Sequence, residues 1–224
     1  MRNAQKALAR QIRRVESRRT PVGGLWKRSL DLTIACAALL FLLPLLVAVA
    51  VMVRASDGGP ALYRHRRIGC DGREFDCLKF RTMVPNAQEA LEAHLRGDPG
   101  AAAEWRRTRK LRNDPRVTPL GDVMRKSSVD ELPQLINVIR GDMSIVGPRP
   151  IVHDEVGRYG PAIDHYFRTR PGLTGAWQVS GRSDTGYGER VALDSDYVAN
   201  WSVRRDVMII ARTVPAVLTR RGSY

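Results

Sequence analysis

The sequence predicts an α+β fold that is mostly α-helical with one short β-hairpin, attached to a membrane at its N-terminal end. Three observations lead to this prediction: an uncharged apolar run at 34–53, an Asp71-Gly72 pair between two strand-like runs, and apolar residues at helical spacing after Ser128. We expect a monotopic protein, with a re-entrant helix-break-helix near the N-terminus and amphipathic helices at the membrane interface.

The run at 34–53 is about 20 residues long, which is enough to cross the hydrocarbon core as a helix. Pro44 lies near its middle, removes one backbone donor and clashes with the preceding turn, so we expect the helix to break there. Lys and Arg flank both ends, whereas a spanning helix has its basic excess on the cytoplasmic side. We therefore favour a re-entrant helix pair. A single-pass helix kinked at proline and a buried core helix are the alternatives.

The net charge of +14 requires an anionic partner, and nucleic acid, acidic lipid headgroups and phosphorylated substrates all qualify. Residues 1–28 carry nine Lys and Arg against the single acid Glu16. A basic segment next to a membrane anchor indicates attraction to anionic headgroups. We expect residues 5–19 to lie on the membrane surface or to be disordered.

The hairpin prediction rests on Asp71-Gly72, because an Asp-Gly pair between alternating runs is a strong signal for a tight turn. Apolar positions predict a further helix that begins near Ser128 and that Gly141 ends. The chain after Pro150 is predicted to be irregular. The remaining predicted elements are strands at 61–68 and 73–81, helices at 87–96 and 101–110, and an interfacial amphipathic segment at 207–218.

Asp130 and Glu131 are the first candidates for chemistry. With Ser128 they match a capping box, so a purely structural role at a helix start is one interpretation. Nearby cations favour a functional interpretation, because Arg125 precedes the pair and Arg149, held between two prolines, follows the helix. Adjacent carboxylates on a helix point about 100° apart and suit two separate tasks.

Five sequence blocks resemble the signature of the bacterial sugar transferase family, the monotopic polyprenyl-phosphate phosphoglycosyl transferases. They occur in order, and the resemblance extends from about Lys27 to the C-terminus. The blocks are KFRTM at 79–83, SVDELPQL at 128–135, GDMSIVGPRP at 141–150, RPGLTG at 170–175 and WQVSGR at 177–182. Within the family, the chain is similar to the hexose-1-phosphate transferases of exopolysaccharide synthesis, in particular a galactose-transferring type.

The resemblance implies a ping-pong reaction in which Asp130 attacks the sugar-bearing phosphate of a UDP-hexose and expels UMP. Undecaprenyl phosphate then accepts the phosphosugar. Glu131 would coordinate Mg²⁺, and Pro44 would form the break of the re-entrant anchor. The implied phosphate- and substrate-binding residues are Lys79, Arg81, Arg125, Arg149, Gln178 and Arg182.

The implied organisation is a basic segment at 1–28, a membrane anchor at 29–55 and a catalytic domain at 56–224 that faces the cytoplasm at the bacterial inner membrane. We expect no nucleic-acid partner. The sequence leaves the oligomeric state open, a homo-oligomer included. It does not fix the hexose either, because glucose and galactose differ in the orientation of one hydroxyl group.

Two alternatives belong to other classes. Asp194-Ser195-Asp196 matches the D-x-D metal triplet of nucleotide-sugar glycosyltransferases, although so short a pattern arises often by chance. The basic charge also fits a single-pass, membrane-tethered binding protein for nucleic acid or anionic lipid, but aromatic residues are few and no recognition motif is present.

Overall fold

The computed structural model describes residues 20–108, 111–180 and 186–218, so the predicted surface segment at 5–19 lies outside the described residues. It confirms a mostly helical α+β fold. The helices are α1 Gly24–Asp57, α2 Ala87–Gly97, α3 Pro99–Thr108, α4 Pro119–Ser127, α5 Gln134–Arg140, α6 His153–Tyr159, α7 Ile163–Phe167, α8 Ala176–Val179, α9 Tyr187–Ala199 and α10 Val203–Leu218. The strands are β1 Leu62–Ile68, β2 Glu74–Phe80, β3 Ser144–Val146 and β4 Gly172–Thr174.

Helix α1 is 34 residues long and continues through Pro44, so the expected interruption of the helix at this proline is not seen. A proline removes only one backbone hydrogen bond, and the other backbone groups of an apolar segment have no better partners than one another. Its most apolar window has a mean hydropathy of 2.9 and only 11% of that window is buried. By length and composition this helix could cross a membrane. The re-entrant arrangement stays a prediction.

Both ends of α1 are bonded to the same folded domain. Near the start, Lys27 Nζ lies 2.6 Å from Asp206 Oδ2, and both side chains are almost fully buried. Arg28 donates to the carbonyl oxygens at the end of α5. At the other end, Asp57 pairs with Arg81, which follows β2. One stripe of the helix therefore faces protein along most of its length.

The same stripe of α1 is apolar between its two polar ends. Ala35 belongs to the main core cluster, and Val49 and Val53 pack with Phe80 and Met124 in a smaller one. The opposite face is exposed, with Phe41 at 83% of its reference area. The other buried members of the main cluster are Phe75, Cys77, Leu135, Val138, Met143, Ile145, Val146, Tyr197, Val198 and Ile209.

Strands β1 and β2 form the predicted antiparallel hairpin, with Tyr63 opposite Lys79. Asp71 and Gly72 lie in its turn and both have positive φ values, 56° and 71°, as an Asp-Gly turn requires. Side chains alternate across a strand, so the hairpin has two chemically different faces. One face carries Arg67, Cys77 and Lys79, and the other carries Leu62, Arg64 and Leu78.

The prediction of an irregular chain after Pro150 is wrong, because α6 to α9 lie there. Glycine and proline at 157, 160 and 161 obscure the helical pattern in the sequence. Between Val156 and Tyr166, apolar side chains still recur every three or four residues and form part of a second core cluster. Its buried members are Ile68, Ile151, Val156, Tyr159, Ile163, Tyr166 and Phe167.

Helix α10 confirms a helix in the predicted amphipathic segment, and it starts four residues earlier than expected. It buries Asp206 and Ile209 and exposes Val207, Met208 and Val214. Its position at a membrane interface stays a prediction.

Candidate active site

Asp130 and Glu131 lie in a single 3-10 turn, Val129–Glu131, between α4 and α5. The capping box predicted from Ser128 is wrong, because the Ser128 side chain makes no cap hydrogen bond and the next helix begins only at Gln134. Ser128 instead follows the end of α4 in the left-handed region, at φ 57°. The two acids are therefore held in a sharp turn between two helices rather than along a regular helix.

Asp130 is only 8% exposed, and burial raises the pKa of its carboxyl to about 6. Lys79 opposes this rise in pKa, whereas the neighbouring Glu131 adds to it. Lys79 Nζ lies 2.5 Å from Glu131 Oε1 and 3.9 Å from Asp130 Oδ2. One ammonium group therefore lies close to both carboxylates. Asp130 keeps a small solvent-exposed fraction, and its carboxylate is more basic than usual.

The turn opens on a narrow cleft of about 20 Å³, which is room for roughly one water molecule. Its walls come from the hairpin, from the start of α5, from the segment after β3, and from β4 and α8. The lining residues are Arg67, Cys77, Lys79, Glu131, Gln134, Arg149, Pro150, Gly172, Leu173 and Gln178. Three cations thus face one acid in a small space, which is a surrounding suited to phosphate groups.

Arg149 reaches the cleft from the segment that follows β3. Strand β3 pairs in parallel with β4, and a Cβ on Gly147 or on Gly172 would overlap the backbone of the other strand. The two glycines therefore allow the close approach that brings the Pro148-Arg149-Pro150 segment beside β4. The Arg149 guanidinium carbon lies 5.7 Å from the centre of the Trp177 ring.

A buried network lies behind the cleft and joins its arginines. Arg67 donates to Pro150 O at 3.0 Å and lies 3.8 Å from Glu155. Glu155 also accepts a hydrogen bond from Arg190, at 3.1 Å. The Arg190 guanidinium carbon lies 4.9 Å from the centre of the Trp177 ring, over which Arg149 also lies. Arg190 therefore connects to Arg67 through a carboxylate and to Arg149 through an indole.

One family model matches most of the chain. The family model described as bacterial sugar transferase matches residues 22–220. The chain belongs to the bacterial sugar transferase family.

Curated relatives of this sugar transferase share about half of its residues. An exopolysaccharide production protein, ExoY, of Sinorhizobium fredii is 55% identical over 91% of this chain and 90% of the relative. A UDP-galactose-lipid carrier transferase of Erwinia amylovora is 53% identical over 88% of this chain and 41% of the relative. A UDP-glucose:undecaprenyl-phosphate glucose-1-phosphate transferase of Caulobacter vibrioides is 42% identical over 88% of this chain and 72% of the relative.

The structure brings most of the residues singled out in the sequence of this sugar transferase to one place. Lys79, Glu131, Arg149 and Gln178 line the cleft, and Asp130 adjoins it through Lys79. This clustering does not assign their roles, which stay predictions.

Two further candidates do not line the cleft, and a third cannot be placed. Arg125 donates to Thr82 Oγ1 at 2.9 Å and lowers the pKa of Asp130, so it lies near the cleft without lining it. Arg81 pairs with Asp57 at the end of α1 and is not among the lining residues. Arg182 falls outside the described residues.

Four side chains of the site were not predicted from the sequence: Arg67, Gln134, Trp177 and Arg190. Arg67 had a usable signal, because it lies on the same face of the hairpin as Lys79 when the two-residue period of the strands is applied. Trp177 lies in the WQVSGR block, but the sequence does not indicate its contact with two arginines. Arg190 had no signal, since its connection to the cleft passes through residues distant in the chain.

The D-x-D interpretation gains no support. Asp194 is buried and accepts a hydrogen bond from Tyr159 at 2.8 Å. Asp196 is exposed and pairs with Arg205. Within the described ranges, no three His, Cys, Asp or Glu side chains form a group that could hold a metal ion.

Proposed function

We propose that this sugar transferase moves hexose 1-phosphate from UDP-galactose or UDP-glucose to undecaprenyl phosphate, releases UMP, and begins the synthesis of an exopolysaccharide. The observation that carries the proposal is the buried Asp130 with its pKa raised to about 6, beside a cleft lined by Lys79, Arg67 and Arg149. The names of the relatives support the donor, the acceptor and the product class.

Asp130 is the nucleophile of this proposal. Its carboxylate oxygen attacks the sugar-bearing phosphorus, the bond from that phosphorus to the bridging oxygen breaks, and the oxygen leaves with UMP. A phosphosugar–aspartate results. Covalent catalysis divides one difficult displacement into two easier ones. A raised pKa suits this role, since a more basic carboxylate is a better nucleophile and is still ionised at neutral pH.

The second displacement regenerates the carboxylate. A phosphate oxygen of undecaprenyl phosphate attacks the same phosphorus, the bond to Asp130 breaks, and the lipid carries away a diphosphate-linked sugar. The electron pair of the broken bond returns to Asp130. No other group needs to change its protonation state over the full cycle.

Lys79, Arg67 and Arg149 hold the diphosphate of the donor. Guanidinium and ammonium groups stabilise the negative charge that builds up on phosphate oxygens during displacement. Arg125 acts at longer range by keeping Asp130 ionised. Burial together with the neighbouring Arg149 lowers the pKa of Arg67 from its usual value, but the group remains charged at neutral pH.

The donor set fits Mg²⁺ bound together with substrate. Mg²⁺ in phosphoryl-transfer sites keeps several waters and takes one or two protein carboxylates and substrate phosphates. Glu131 supplies a partly exposed carboxylate beside the nucleophile, in keeping with this pattern. When bound there, the ion would neutralise charge on the diphosphate and on the leaving UMP.

The cleft must widen before a sugar nucleotide can enter, because about 20 Å³ holds only about one water molecule. Long side chains form its rim, and Lys79, Arg149 and Gln178 can each change rotamer without moving the backbone.

The bonds at the two ends of α1 support a re-entrant anchor in one respect, because they place both ends on the same side as the folded domain. We propose that this is the cytoplasmic side. Lys27 and Asp57 both contact the same folded domain, and the stripe between them packs on that domain. A helix that crossed the bilayer would carry one end away from the domain, by about 1.5 Å per residue.

We expect tags inserted at the N-terminus and in the Asp71-Gly72 turn to report the same, cytoplasmic side when cells are probed with a membrane-impermeant reagent. A periplasmic tag on the known outer face of another inner-membrane protein serves as the positive control. Opposite sides for the two tags would reject the re-entrant anchor and restore a single-pass helix.

The reaction is tested by UMP release from a panel of UDP-sugars, with detergent-purified protein, Mg²⁺ and undecaprenyl phosphate. We expect turnover with UDP-galactose or UDP-glucose, and this result also identifies the hexose. Without undecaprenyl phosphate, we expect a burst of about one UMP per chain, as a covalent intermediate predicts. Release of UDP instead of UMP would mean ordinary glycosyl transfer and would contradict the proposal.

A further inference from the structure

A second cavity lies on the opposite side of the hairpin from the catalytic cleft. Its volume is about 420 Å³, within the range of small-molecule sites. Most of its lining is apolar, and two arginines complete it. The lining residues are Pro60, Ala61, Leu62, Arg64, Leu78, Ile136 and Arg140.

The two cavities share a wall and face away from each other. Leu78 lines the second cavity, whereas the next residue, Lys79, lines the cleft, because successive side chains of a strand point to opposite faces. Helix α5 repeats the division, with Gln134 toward the cleft and Ile136 toward the cavity. A phosphate bound in the cavity is therefore separated from Asp130 by the hairpin and cannot be the reacting group.

The cavity lies beside the membrane helix. Ala61 packs against the cluster that contains Val49 and Val53 of α1. On the other wall, α5 packs against the first half of α1 through Leu135 and Val138. Both walls thus contact α1, which is long and apolar enough to enter a membrane. With α1 in a bilayer, a lipid next to this helix can reach the cavity.

The cavity is lined by two positive charges and no negative charge. Arg64 and Arg140 are exposed, and neither forms an ion pair with any residue in 20–108, 111–180 or 186–218. No acid is among the lining residues. Two unpaired guanidinium groups beside an apolar wall match a molecule that carries a phosphate next to hydrocarbon chains.

We propose that this cavity binds an anionic phospholipid, with the headgroup phosphate on Arg64 and Arg140 and an acyl chain along Leu62, Leu78 and Ile136. The lipid acts as a membrane ligand of the fold and not as a substrate. This assignment does not depend on the proposed transfer reaction.

The test is native mass spectrometry of the detergent-purified full chain, titrated with phosphatidylglycerol or with phosphatidylcholine. We expect the wild-type protein to bind phosphatidylglycerol more tightly than phosphatidylcholine. The double variant Arg64→Gln/Arg140→Gln should bind phosphatidylglycerol at least about tenfold more weakly, with its melting temperature unchanged because both side chains are exposed. Leu62→Trp, which fills the cavity without changing its charge, should also weaken the binding of phosphatidylglycerol.

The matched control is Arg73→Gln/Arg96→Gln, which removes the same charge from two exposed positions outside the cavity. If this control lost as much affinity for phosphatidylglycerol as the cavity variant, the lipid would be attracted by net charge alone. That result would overturn the proposal. So would equal wild-type affinity for the two phospholipids. If the cavity variants no longer bound undecaprenyl phosphate but still bound phosphatidylglycerol, the cavity would be the site of the acceptor lipid. The assignment would then be wrong.

Discussion

The Asp130→Asn variant is expected to lose UMP release by about 10⁴-fold or more, the scale on which nucleophile replacements act. An amide oxygen cannot form the phosphosugar–aspartate, and the burst of UMP without acceptor should disappear along with turnover. Intact-protein mass spectrometry with UDP-hexose should show a phosphosugar adduct on the wild-type chain and none on the variant.

The same substitution is expected to stabilise the fold. The pKa of Asp130 is raised to about 6 from an ordinary value of 3.8, so the folded state prefers the protonated form. The carboxyl group therefore favours folding below pH 4, and this contribution is lost as the pH rises through about 6. Asn is neutral at every pH, so the variant does not lose this contribution to stability. Above pH 7 and without Mg²⁺, we expect its free energy of unfolding to exceed that of the wild type by up to roughly 3 kcal/mol.

Thermal unfolding at several pH values measures this difference, which should shrink as the pH falls toward 4. Asp122→Asn is the control, because Asp122 is exposed on α4 and pairs with the exposed Lys126. It should change neither turnover nor the melting temperature appreciably. Near wild-type turnover in Asp130→Asn would mean that another group is the nucleophile. The wild-type rate should also fall below about pH 6 as Asp130 becomes protonated.

The Lys27→Met variant is expected to lose about 3–5 kcal/mol of unfolding free energy, because it leaves the Asp206 carboxylate buried without a cation. Lys27 is 3% exposed and Asp206 is 1% exposed. Asp206 also accepts hydrogen bonds from Tyr197 and Trp201, so this carboxylate links α1 to α10 and to the end of α9. Thermal and denaturant unfolding in detergent measure the loss.

Lys126→Met provides a matched control, since Lys126 and Asp122 are also 2.6 Å apart but about half exposed. The Lys126→Met variant should lose less than about 1 kcal/mol of unfolding free energy. The double variant Lys27→Met/Asp206→Asn should recover part of the loss, because it removes the unpaired charge and keeps an acceptor for Tyr197. If Lys27→Met cost no more than Lys126→Met, the buried ion pair would not hold the anchor to the domain.

The elements that the sequence predicts correctly are those fixed by neighbouring residues. The hairpin depends on an Asp-Gly turn and on two runs of alternating side chains that adjoin it. Gly141 ends α5 in the left-handed region, at φ 92°, and Pro133 precedes its first residue. The catalytic candidates were found in the same way, because Asp130 and Glu131 lie within one unbroken block.

The elements that escaped prediction depend on distant partners. Strands β3 and β4 have only three residues each, and Ser144 pairs with Gly172, so neither strand shows a period of its own. The capping box failed because the pattern around Ser128 fits the start of one helix, whereas the packing of α4 makes Ser128 the residue after the end of another. Arg190 belongs to the site only through Glu155 and Trp177, which no local pattern links.

The Lys27–Asp206 pair also sets an order of events during synthesis. Its two members are 179 residues apart in the chain. At about 5–20 residues per second, a ribosome needs roughly 10–40 s to travel from one to the other. The apolar helix is therefore translated, and can partition into the bilayer, well before its carboxylate partner exists. Final docking of α1 on the domain waits for α10, which makes that junction one of the last parts of the protein to form.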